Sequence, residues 1–109
     1  EKNGCPWVIP GAHRHGTLAH EMTPLGWQCA PSSSKAVPIP AAAGDIVVFS
    51  SLTPHRTGPN LTEHVRKSYI VQYAPDGAVH RTGDQPATLQ NDHERQYLVL
   101  SDGLRINVG

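Results

Sequence analysis

The segment from Phe49 to Arg66 holds the residues best suited to chemistry. An apolar run, Ile46-Val47-Val48-Phe49, leads into Thr53-Pro54-His55-Arg56-Thr57-Gly58-Pro59-Asn60, and Arg66 opens the next alternating stretch. An imidazole held just past the end of a buried strand offers a nitrogen donor that suits a borderline metal such as Fe(II). A guanidinium at a nearby strand end can grip a carboxylate through its planar fork. The residues alone leave a second reading open, in which His55 is a structural or surface histidine and Arg66 faces water at a strand edge.

Other chemistry is poorly served. The chain has seven histidines in 109 residues, yet their spacings form no zinc finger, no HExxH helix and no tight three-histidine cluster. Cys5 and Cys29 match neither a metal knuckle nor a redox CxxC, and read as buried thiols that can pair only in an oxidising compartment. Nine basic residues balance nine acidic ones, so no long-range field draws in nucleic acid or an anionic membrane, and neither is expected as a partner. With Glu1-Lys2-Asn3 at the start and no long apolar run, neither a signal peptide nor a spanning helix is legible, and a cytoplasmic location is the expectation. Asn60-Leu61-Thr62 is a glycosylation sequon, of consequence only in a secreted chain.

The elements that must position these residues read as β. Ten glycines and ten prolines scattered among short apolar runs argue against long helices, and the length sets a ceiling of one domain over residues 1–109. The first expected strand is Cys5 to Ile9, closed by Pro10 and Gly11, with a loop or short helical turn from His13 to His20. Ser32, Ser33 and Ser34 read as a linker. Gly44 and Asp45 turn the chain into the β-branched and aromatic run 46–49, a pleated, buried surface. Pro54 to Asn60 is rich in turn formers. From Arg66 to Tyr73 a two-residue period puts Tyr69, Val71 and Tyr73 on one face and Arg66, Ser68, Ile70 and Gln72 on the other, with small Ser68 leaving room before the guanidinium. Asp76 to Asn91 is polar and reads as an insertion or lid. Tyr97 to Leu100 and Arg105 to Val108 flank a turn at Ser101, Asp102 and Gly103, the mark of a hairpin. Trp7, Trp27 and Tyr73 as carbohydrate platforms form a weaker reading, because Trp7 lies inside an apolar strand and is expected in the core.

Two stretches carry a resemblance. Asn3-Gly4-Cys5-Pro6-Trp7-Val8-Ile9-Pro10-Gly11-Ala12-His13-Arg14 looks like the NGxxxxIPGSH segment of the phytanoyl-CoA dioxygenase family. Gly44-Asp45-Ile46-Val47-Val48-Phe49, then His55-Arg56-Thr57-Gly58-Pro59-Asn60, then Arg66, is similar to that family's GDxxxF, HxSGxN and arginine, in the same order. The stretches span roughly residues 3 to 74 and place the chain in the C-terminal half of the family domain. The resemblance implies an all-β fold, a partial double-stranded β-helix of jelly-roll, cupin-like type. It implies Fe(II) and 2-oxoglutarate as cofactors, with His55 as the distal metal ligand and Arg66, eleven residues later, binding the far carboxylate of 2-oxoglutarate. Thr57 stands where a hydroxyl assists the same carboxylate. His13 is read as shaping its loop and His15 as a residue near substrate.

The family's other two metal ligands come as a His-x-Asp pair, and no such triplet occurs in the chain. Two histidines and one carboxylate fix three coordination positions and leave the rest for 2-oxoglutarate and dioxygen, which one histidine cannot do. Asp45, Glu21, His13 and His15 are the available substitutes, though Asp45 is explained more simply as a turn residue. The chain is therefore expected to be a fragment, a short relative that kept a fold and lost the chemistry, or one of two copies that complete each other. A half barrel exposes strand edges and an apolar interior, so a homo-oligomer is expected. The functional expectation is an Fe(II)/2-oxoglutarate-dependent dioxygenase-like protein or fragment that, when complete, hydroxylates an aliphatic carbon of a small organic substrate. The alternative is a non-enzymatic cupin-like binding or assembly domain.

Overall fold

The computed structural model describes residues 1–30, 34–92, 94 and 96–106. The chain divides into two units, Glu1–Ser68 and Tyr69–Gly109. Its strands in chain order are β1 (Pro6–Val8), β2 (Glu21–Thr23), β3 (Gly26–Gln28), β4 (Val37–Pro38), β5 (His55–Thr57), β6 (Val79–His80), β7 (Thr88–Leu89), β8 (Leu100–Ser101) and β9 (Leu104–Arg105).

In the first unit β1 is the centre of a three-stranded sheet of order β4-β1-β5, antiparallel on both sides. Apolar Trp7 and Val8 favour the extended conformation, and Pro6 stands first in the strand, where its missing N–H is tolerated. Its carbonyl still accepts from the amide of Ile39 at 2.8 Å. Gly11, at φ 77°, adopts a left-handed conformation and turns the chain into a short 3₁₀ helix, Ala12–His15. The strand expected at 5–9 and the helical turn expected after it are thus both present. A hairpin of β2 and β3 follows that the sequence reading did not anticipate; the Thr23 hydroxyl donates to the Gly26 carbonyl across its turn at 2.8 Å. Among the described residues, Cys5 and Ala12 are the buried apolar side chains and Thr53 is a buried polar one.

The expected double-stranded β-helix is overturned. The structure is all-β, but its sheets are one of three strands and three of two, and among the described residues none closes or curls into a barrel. The physical reason lies in the strands, two or three residues each, in contrast to the longer paired runs that closure requires. Residues 46–49 illustrate this. Relative exposures of 85%, 36%, 86% and 40% for Ile46, Val47, Val48 and Phe49 alternate as in an extended segment, yet the run joins no ladder among the described residues. The stretch 66–73 likewise joins no ladder, and Tyr69, Ile70, Val71 and Tyr73 are all exposed. Conversely, Pro54 to Asn60, read as turn, contains β5.

In the second unit, the hairpin expected at Ser101 to Gly103 is present as β8 and β9, with Asp102 at φ 50° and Gly103 at φ 77°. Two successive positive φ values match the right-handed twist of a hairpin. The polar stretch 76–91, read as an insertion or lid, contains the β6–β7 hairpin, which the sequence did not signal. Ser32 and Ser33 of the expected linker, and Asn107 and Val108 of the last expected strand, lie outside the described residues. Among those residues no helix is long and apolar enough to cross a membrane.

Candidate functional site

The antiparallel pairing of β1 with β5 brings together two motif stretches that lie some fifty residues apart in the sequence. Pro6 faces Thr57, Trp7 faces Arg56 and Val8 faces His55. The contact continues beyond the ladder at both ends. The Ile9 amide donates to the Pro54 carbonyl at 3.1 Å, and the Leu61 amide donates to the Lys2 carbonyl at 2.8 Å. Between them Gly4, at φ 78°, lies against the Gly58–Pro59 backbone so closely that a Cβ there would stand 2.5 Å from the Gly58 oxygen. Only glycine satisfies both the left-handed backbone and this approach.

Alternation along β5 puts His55 and Thr57 on one face and Arg56 on the other. The Arg56 guanidinium carbon stands 5.5 Å from the centre of the Trp7 ring, a cation–π pair across the strands. Trp7, expected in the core, is instead half-buried beneath this arginine.

His55 is held from two sides. Its Nδ1 lies 2.9 Å from the Thr53 carbonyl, and since a carbonyl only accepts, Nδ1 carries the proton. Its ring centre lies 4.7 Å from that of Phe49, the planes inclined at 47°. With Nδ1 as donor, the neutral ring has its lone pair on Nε2, the nitrogen that can ligate a metal. Buried Thr53 is itself fixed by its amide, which donates to the Ser50 carbonyl at 2.9 Å.

Arg66 follows a different support. The Asn60 amide nitrogen donates to the His64 carbonyl at 2.7 Å, while its oxygen accepts from the Thr62 amide at 3.0 Å and the Thr62 hydroxyl at 2.7 Å. This turn carries the chain from β5 to Arg66, which is half-buried. The sequence reading missed the turn, although Asn-x-Thr is a known signal for side-chain-closed turns. A cavity of about 470 Å³ lies beside it, with Lys2, Asn3, Cys5, Thr62 and His64 in its wall; His55, Thr57 and Arg66 do not line it.

Iron fits these residues only in part. His55 is suitable as one ligand, but among the described residues no three His, Cys, Asp or Glu side chains are grouped to hold a metal. The Asp45 carboxylate is engaged in its own turn, accepting from the Ala42 amide at 2.7 Å, which supports the turn role over the ligand role.

Comparison with known proteins decides the relationship. The family description "Phytanoyl-CoA dioxygenase (PhyH)" matches residues 1–68. The chain belongs to the phytanoyl-CoA dioxygenase family. It is 30% identical over 78 residues to phytanoyl-CoA dioxygenase domain-containing protein 1 of Rattus norvegicus, covering 62% of this chain and 27% of the relative. The Bos taurus protein of the same name is 27% identical over 103 residues, 78% of this chain and 35% of the relative. A methylphosphonate hydroxylase of Gimesia maris is 29% identical over 81 residues, 66% of this chain and 28% of the relative. The chain thus spans about a third or less of the length of these phytanoyl-CoA dioxygenase relatives. No solved structure matches it.

The family match also corrects the expected placement. It occupies residues 1–68, the N-terminal part of this chain, and stops short of residue 74, so the assignment of the chain as the C-terminal half of the family domain does not stand. The boundary coincides with that of the first structural unit, Glu1–Ser68, whose β1–β5 pairing unites the stretches that carry the likeness.

Proposed function

We propose that this chain is a binding or assembly unit of the phytanoyl-CoA dioxygenase family, and that it forms an Fe(II)/2-oxoglutarate site only with ligands contributed from outside its described residues. One observation carries the reading: His55 is oriented with Nε2 available, yet among the described residues no second and third ligand are grouped with it. In this reading His55 is one metal ligand, Arg66 grips a carboxylate of 2-oxoglutarate, and Thr57, on the face it shares with His55, supplies a hydroxyl. Hydroxylation of an aliphatic carbon of a small organic substrate belongs to the completed assembly.

The exposed apolar run at 46–49 supports assembly, since large exposed apolar side chains are a liability until covered. A second copy of this chain is proposed to cover that run; it repeats the same residues and brings no His-x-Asp pair, so the missing ligands come from another source. The test is consumption of 2-oxoglutarate by the chain alone with Fe(II), ascorbate and air. Background rates are expected; consumption above background that His55→Ala abolishes would show that the chain completes its own site.

A further inference from the structure

The sequon Asn60-Leu61-Thr62 has a role in the geometry that glycosylation does not describe. Three of the four hydrogen bonds that the Asn60 side chain can make lie within the turn: a donation to His64 and acceptance from both the amide and the hydroxyl of Thr62. The residue between them, Leu61, is tied by its amide to the Lys2 carbonyl beside β1. The turn is therefore fastened internally through Asn60 and externally to the strand that pairs with β5, and the chain leaves it at His64, two residues before Arg66.

We propose that Asn60 is a positioning residue for Arg66, setting the point and direction from which the arginine leaves the β5 side of the unit. The proposal rests on the reading of Arg66 as a carboxylate clamp, and it extends that reading to a residue that need not touch the ligand. Without the Asn60 amide, the His64 carbonyl and the Thr62 amide turn to water, and Arg66 samples a wider range of positions.

The test follows the Arg66 Nε–H resonance of the 109-residue chain by NMR during titration with 2-oxoglutarate. In the parent chain the resonance shifts, and Arg66→Ala removes that signal and the binding with it. Asn60→Ala, which removes the three turn hydrogen bonds, is expected to raise the half-saturating concentration about three- to tenfold, about the net worth of one ordinary hydrogen bond, while a cooperative urea transition shows that the variant still folds. Thr62→Ala, which keeps its amide and loses its hydroxyl, falls between. If Asn60→Ala does not fold, Asn60→Asp is read instead, because it keeps the acceptor contacts and loses the donation to His64. Parent-like titration of the folded Asn60 variant, with Arg66→Ala silent, overturns the positioning role and leaves the clamp intact. A parent chain whose Arg66 resonance does not respond overturns both.

Discussion

Gly4 lies against the carbonyl oxygen of Gly58, close enough that a β-carbon on Gly4 would stand 2.5 Å from it. Gly11 has nearly the same φ, 77° against 78°, but a Cβ there meets nothing within 4 Å. The pair separates backbone strain from steric exclusion. Gly11→Ala is expected to destabilise the first unit by about 1 kcal/mol, the left-handed penalty alone. Gly4→Ala is expected to cost about 2–4 kcal/mol, because strain and displacement of the Gly58–Pro59 backbone act together. Urea denaturation of the two variants side by side measures the difference; equal losses would remove the close approach as a determinant.

The Trp7–Arg56 pair stabilises the β1–β5 ladder from the face opposite His55. A double-mutant cycle with Trp7→Leu and Arg56→Gln should return a coupling of about 0.5–1 kcal/mol at this exposed site. Neither substitution should change the response of Arg66 to 2-oxoglutarate. A coupling near zero would mean that the ring and the guanidinium are merely adjacent.

In the second unit, Asp102 and Gly103 form the turn of the β8–β9 hairpin with φ of 50° and 77°. A β-branched residue tolerates the left-handed region poorly, so Gly103→Val should abolish the protected amide of Ile106, which donates to the Val99 carbonyl at 3.0 Å. Hydrogen exchange reads this directly, and unchanged protection of Ile106 would contradict the turn assignment.

How far the sequence foretells this structure depends on where the information lies. β1 is legible because Trp7 and Val8 stand between punctuating Pro10 and Gly11 and the preceding Gly4. The β8–β9 hairpin is legible because Asp-Gly permits two positive φ values in succession. That no barrel closes among the described residues is not legible, because apolar alternation at 46–49 and 69–73 signals an extended strand without naming its partner, and partners are set by non-local pairing. For the same reason β5 was missed: Pro54, Gly58 and Pro59 advertise turns, while the pairing of His55–Thr57 with β1 depends on a strand almost fifty residues earlier. Of the candidate site, the residue types and order at His55, Thr57 and Arg66 were readable; the Thr53 carbonyl that sets the His55 tautomer and the Asn60 turn before Arg66 came only with the fold.

If assembly covers the exposed run, then placing a charge on its outward face should disperse it. Val48 is among the most exposed of these residues. Sedimentation velocity of the parent chain is expected to show a concentration-dependent dimer or larger species, and Val48→Lys a shift toward monomer. A parent chain that sediments as a monomer throughout the micromolar range would argue against self-assembly.

The central claim is that this chain carries one arm of a metal site and cannot close the site alone. Calorimetric titration with 2-oxoglutarate, in the absence and presence of Mn(II) as a redox-inert stand-in for Fe(II), tests it most directly. The account predicts the same weak affinity under both conditions and its loss in Arg66→Ala. Tightening by about tenfold or more on adding Mn(II), equivalent to about 1.4 kcal/mol, and abolished by His55→Ala, would contradict it.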